Sequence, residues 1–76
     1  MDKSISVEVG KVCRGFRIEV LDLSLTDFSE RVGLNMKNVN AFEYGRANSI
    51  HYLMSYMEVC NEEQFEILCE RVFELL

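Results

Sequence analysis

The sequence predicts an all-α fold of four to five short helices. Three observations carry that expectation. Apolar residues recur at helical spacing through most of the chain, serine and asparagine stand where helices should start, and glycines stand where two should stop. The chain has no proline, and no stretch favours a strand strongly enough to compete. There is no linker, repeat or low-complexity segment, so residues 1–76 read as a single domain.

The first helix is expected from about Val7 to Leu21. Val9, Val12, Cys13, Phe16 and Val20 fall on one stripe, and Lys11, Arg14 and Arg17 fall off it, so the three cations are expected in solvent. The second helix begins after Ser24. Ser24 and Asp27 form an S-x-x-D capping box, in which the hydroxyl takes an orphan amide and the carboxylate reaches back. Phe28 and Val32 face inward, and Gly33 supplies the left-handed residue that ends the helix. The third helix starts after Asn35, a good N-cap, with Val39 and Phe42 as inward anchors and Gly45 as its stop. Only a short turn joins the second and third helices, so their axes must cross steeply.

The fourth helix is expected from Ser49 to about Val59, with Ile50, Leu53, Met54 and Met57 as its apolar face. Asn61 and Gln64 suggest an N-x-x-Q box opening an amphipathic C-terminal helix over about 61–76. Its stripe is Phe65, Leu68, Cys69, Val72, Leu75 and Leu76, and Glu62, Glu63, Glu66, Glu70 and Glu74 cover the rest. That stripe packs either on the domain's own core or along a homodimer seam; the seam residues would be Phe65, Leu68, Val72, Leu75 and Leu76.

Composition narrows the function. A chain this short buries only about 60% of its unfolded surface, which makes added stability from dimerisation plausible. No apolar run approaches the roughly 20 residues of a membrane span, and the N-terminal MDKSISVEVG lacks the apolar core of a signal peptide. A soluble cytoplasmic protein without membrane contact is expected. Cys13, Cys60 and Cys69 are odd in number and far apart, and each sits at an apolar-periodic position, so they read as small buried thiols. With a lone His51 they make no zinc set. No nucleophile–base pair and no phosphate loop is present, so neither an enzyme nor a cofactor is expected. His51 reads as a partly exposed structural residue near Tyr44, Tyr52 and Tyr56.

The formal net charge is −5, but it is unevenly spread. Residues 1–46 balance seven Lys/Arg against seven Asp/Glu, and residues 47–76 set Arg71 against six Glu. The acid is confined to the C-terminal part, and the first part is free to carry a face for nucleic acid.

Residues 25–44 resemble the helix-turn-helix of the lambda-repressor-like, or Cro/XRE, family. The likeness rests on Phe28, Ser29, Val32, Gly33, Leu34, Val39 and Phe42, with Leu23–Ser24 and Glu43–Tyr44–Gly45 at its edges. The small Ser29 would let the two helices approach, and Gly33 would make the tight turn. The likeness extends over about residues 7–60. It implies a small transcriptional regulator that binds duplex DNA, as a homodimer, like those of phages and mobile elements. In the family the second helix of the motif lies in the major groove. Carried over, the DNA-facing residues are Met36, Lys37, Asn38, Asn40, Ala41 and Tyr44, with Arg14, Arg17, Lys37 or Arg46 and helix-start amides on phosphates. Lys37 suits guanine or phosphate, and the asparagines suit adenine.

This chain departs from the family at three positions on that face. Leu25 stands where many members have glutamine, Ala41 where a long polar residue is common, and Met36 where a polar one is frequent. The connection ahead of Leu23 is about one residue longer than usual. A second reading therefore stands beside the first: an antirepressor or co-regulator that keeps the fold and docks onto another transcriptional regulator through Leu25, Met36 and Tyr44.

Overall fold

A computed structural model describes residues 3–47 and 49–76. Met1, Asp2 and Asn48, which belong to the expected domain, lie outside the described residues. Five helices follow in order: α1 (Lys3–Glu19), α2 (Leu25–Val32), α3 (Met36–Glu43), α4 (Ile50–Glu58) and α5 (Glu62–Phe73). No strand occurs among the described residues, so the all-α expectation holds. α1 starts earlier than its stripe implied, at Lys3.

The ends of the helices are set by side chains that the sequence advertises. Ser24 Oγ accepts from the Asp27 amide, Asn35 Oδ1 from the Lys37 amide, and Ser49 Oγ from the His51 amide. Each relieves one of the four amides that a helix start leaves unbonded. Among the described residues the full reciprocal box forms at α5, where Asn61 Oδ1 accepts from the Gln64 amide and Gln64 Oε1 from the Asn61 amide. Gly33 lies at φ 71°, and the Leu34 and Gly33 amides donate back to the Ser29 and Glu30 carbonyls. That is a Schellman ending, and it turns the chain from α2 into α3 within three residues. α3 ends the same way, with the Arg46 and Gly45 amides donating to Ala41 and Phe42. α1 ends on a wider turn. Its Leu23 amide reaches the Arg17 carbonyl, with Asp22 left-handed at φ 54°.

The core is Val9, Cys13 and Phe16 from α1, Phe28 from α2, Val39 and Phe42 from α3, Leu53 and Tyr56 from α4, and Leu68 from α5. At its centre the Tyr56 ring stacks on Phe28 with centroids 4.3 Å apart and lies 5.9 Å from Phe42. α1 packs against α3, α4 and α5. Its closest approach to α3 is at Gly10. A Cβ built there would fall 2.5 Å from the Phe42 carbonyl oxygen and 2.6 Å from that of Glu43. Both are backbone atoms that cannot swing away, so only glycine admits this helix crossing.

Three expectations about faces are corrected. On α4 the inward residues are Leu53, Tyr56, Tyr52 and Met57, whereas Ile50 and Met54 are exposed. The tyrosines and methionines leave α4 apolar nearly all round, and the aromatic row wins because two ring stacks anchor it. On α5 the expected single stripe splits. Leu68 is fully buried and Val72 and Leu75 pack on the core, so these three are not a free seam. Phe65 and Leu76 are exposed as a seam would need, and so is Phe73. On α1, Arg17 is buried, not exposed.

Candidate nucleic-acid interface

Arg17 decides how α3 is held. The buried residues of α1 run Ser6, Val9, Gly10, Cys13, Phe16, Arg17, all at helical spacing on one stripe. On α3 they run Val39, Phe42, Glu43. Opposite charges thus occupy one stripe position on each helix, and they meet. Arg17 Nε donates to Glu43 Oε2 at 2.8 Å and Nη2 to Oε1 at 2.9 Å, a bidentate pair. Arg17 Nη1 donates to the Leu23 carbonyl at 2.9 Å, and the Tyr56 hydroxyl donates to Glu43 Oε2 at 2.5 Å. The two charged side chains are 7% and 1% exposed. Arg17 is therefore a bolt between α1, the chain ahead of α2, and α3, and it cannot reach a phosphate.

The bolt perturbs its neighbours. Hydrogen bonding to Glu43 holds the Arg17 proton more tightly than usual, against the opposing effect of burial. Burial, then the hydrogen bond to Glu43, pushes the Tyr56 hydroxyl well above its ordinary range. Burial, then the Glu43 charge, pushes the Cys13 thiol up to about 12. Cys13 is accordingly an inert core thiol. Cys60 and Cys69 are only half-buried, and Cys60 Sγ donates to the Tyr56 carbonyl.

With Val39, Phe42 and Glu43 turned inward, the opposite side of α3 is the ridge Lys37, Ala41, Tyr44, at i, i+4, i+7. Lys37 and Tyr44 are exposed and Ala41 is half-buried. Met36, half-exposed, takes a contact from the Thr26 hydroxyl to its sulfur at 3.3 Å. That contact ties the starts of α2 and α3 together on this face. Asn38 is exposed and Asn40 half-buried. Two residues apart on a helix, they point about 160° away from each other, on opposite flanks of the ridge.

Cations gather at the far end. The Arg14 guanidinium of α1 lies 5.6 Å from the centre of the Tyr44 ring, within cation–π range, and Arg46 is exposed just past the end of α3. Arg14 thus meets Tyr44 at the C-terminal end of the α3 ridge that Lys37 begins. The one acid of α3, Glu43, is neutralised inside by Arg17. Neither Glu43, at the edge of the family likeness, nor Tyr56 is given a role in holding α3 by the sequence alone. A charged residue at i+4 from Val39 and another at i+4 from Cys13 were the available signal.

Leu25, expected as a docking residue, packs partly on the core, whereas Met36 and Tyr44 remain exposed. Ser29 is buried as the helix-approach role requires, and its hydroxyl has no hydrogen-bond partner among the described residues. No described helix is long and apolar enough to cross a membrane, and no metal-binding cluster occurs among the described residues. Comparison of the chain with protein families, with curated proteins and with solved structures finds no match.

Proposed function

We propose that this chain is a small cytoplasmic transcriptional regulator of the Cro/XRE helix-turn-helix kind, and that it binds duplex DNA by laying α3 in the major groove. The observation that carries the reading is the ridge of α3. It projects Lys37, Ala41 and Tyr44 from a helix that a buried ion pair fixes to the scaffold, with Arg14 and Arg46 beside it. A reading helix must be rigid at its base and free at its tip, and α3 is both. Lys37 in the first turn contacts a guanine edge or a phosphate, and Arg14 and Arg46 contact phosphates. Asn38 and Asn40 cannot share one groove floor, so one of them reads a base edge and the other serves the flank. Pairing of two copies belongs to this reading, because it would match a pseudo-palindromic site.

A second reading keeps the same face and changes the ligand. Exposed Met36 and Tyr44 and the short Ala41 side chain would suit a protein surface better than a base edge. Backbone-amide chemical-shift mapping with a duplex pool separates the two. Shifts at residues 36–41 and at Arg46 are expected from DNA binding. An unperturbed spectrum at low salt would overturn it and leave the protein-docking reading.

A further inference from the structure

α5 carries a second, chemically opposite face. Phe65, Cys69 and Phe73 stand at i, i+4, i+8 and form an apolar row about 12 Å long. Phe65 is 43% exposed and Phe73 69%. Beside it, displaced by one residue, runs the row Glu66, Glu70, Glu74, and the two rows border one shallow, open groove along α5. α5 and its cap hold five glutamates, which make no ion pair among the described residues, and the helix's one cation, Arg71, turns to Glu19 of α1. What singles this face out is that the exposed phenylalanines line up with Cys69 and are rimmed by acid, the arrangement of an apolar strip with a polar border.

We infer that this groove docks a basic amphipathic helix of another protein, apolar along one stripe and lined by Lys or Arg on the flank. Charge complementarity selects the occupant. An apolar stripe seats on Phe65, Cys69 and Phe73, and cations at i, i+4 spacing meet the parallel glutamate row. A second copy of this chain fits poorly. Parallel pairing would offer each glutamate row no free cation, because Arg71 already turns to Glu19. Antiparallel pairing across the apolar row would bring each copy's glutamate row against the same row of the other, and like charges repel. Duplex DNA is repelled for the same reason. The groove thus lies on a different helix from the α3 face, and the inference stands whether or not α3 binds DNA.

The probe is a labelled leucine/lysine amphipathic peptide of about 18 residues, long enough to form a helix on binding. Its control is the same pattern with glutamate in place of lysine. Anisotropy titration should show binding of the lysine peptide alone. Phe73→Ser, and separately Glu66→Lys with Glu70→Lys, should each weaken it about tenfold or more. All three side chains are exposed, so the variants should keep the wild-type circular dichroism. Chemical-shift changes should centre on residues 65–76. Equal binding by Phe73→Ser would overturn the inference, because bulk charge alone would then explain the affinity. So would no binding, or a wild-type dimer that Phe73→Ser converts to monomer, which would make a second copy the occupant.

Discussion

Replacing Arg17 with alanine should be among the most damaging single substitutions in this chain. It leaves the Glu43 carboxylate, 1% exposed, with only the Tyr56 hydroxyl as a side-chain donor. It also strips the Leu23 carbonyl of its bond to Arg17 Nη1. Stranding one member of a buried pair costs about 3–5 kcal/mol. No discount for solvent screening applies, because both side chains are almost fully enclosed. A 76-residue chain has about 4–11 kcal/mol of stability in total, so Arg17→Ala removes about a quarter of it or more. The melting midpoint should drop by at least about 12 °C. Glu43→Ala should cost a similar amount, and Tyr56→Phe, which removes one bond to a charged acceptor, about 1.5–3 kcal/mol. The decisive comparison is the double variant Arg17→Met with Glu43→Leu. Because apolar pairs replace buried ion pairs with little loss, it should be more stable than either single variant. Urea unfolding followed by circular dichroism measures all four. Single-variant losses below about 1 kcal/mol, the value of a surface pair, would refute the reasoning, and so would losses that simply add.

Three more expectations follow from particular groups. Ser29→Ala should stabilise the fold by about 1 kcal/mol, because it deletes a buried hydroxyl that has no partner; a lower melting midpoint would show that the hydroxyl is bonded. Alkaline pH should destabilise the protein through Cys13, whose thiol rises from its ordinary 9.0 to about 12. The folded chain keeps that proton after the unfolded chain has lost it, so stability is whole below pH 9 and falls above it, by about 1.4 kcal/mol per pH unit. Urea midpoints at about pH 8 and about pH 10.5 should show that fall, and Cys13→Ala should reduce it, leaving the smaller part that Cys60 and Tyr56, both raised by burial, contribute. On DNA, Lys37→Ala should weaken binding to all sequences and lower the salt slope by about 1. Of Asn38→Ala and Asn40→Ala, one should cost about 1–3 kcal/mol of sequence-specific affinity and the other little, as competition assays would show.

Local chemistry was legible in the sequence, and long-range chemistry was not. Ser24, Asn35, Ser49 and Asn61 cap the helices they were expected to cap, and Gly33 and Gly45 end the two they were expected to end. Those bonds span at most a few residues, so spacing reveals them. The Arg17–Glu43 pair spans 26 residues, and neither partner announces which helix it will meet. Arg17 falls off the stripe of Val9, Cys13, Phe16 and Val20 and is therefore expected in solvent, but the buried face of α1 is wide enough to include it at i+4 from Cys13. The fourth and fifth helices failed differently. Both carry apolar residues on more than one side, and periodicity alone cannot say which side the core takes. Tyr56 took it on α4, and Leu68, Val72 and Leu75 took it on α5, which left Phe65 and Phe73 outside. Of the residues expected to face DNA, Lys37, Tyr44, Met36, Asn38, Arg14 and Arg46 are exposed, Asn40 and Ala41 are half-buried, and Arg17 is lost to the interior.

The measurement that bears most directly on the account is fluorescence anisotropy with the DNA flanking the protein's own gene and with a random duplex pool, across a salt series. The account predicts binding that is tighter for the flanking DNA and falls steeply as salt rises, as released counterions require. It also predicts that Lys37→Ala weakens that binding while leaving the melting midpoint unchanged. No binding to either duplex even at low salt would contradict it, and α3 would then be a surface for protein.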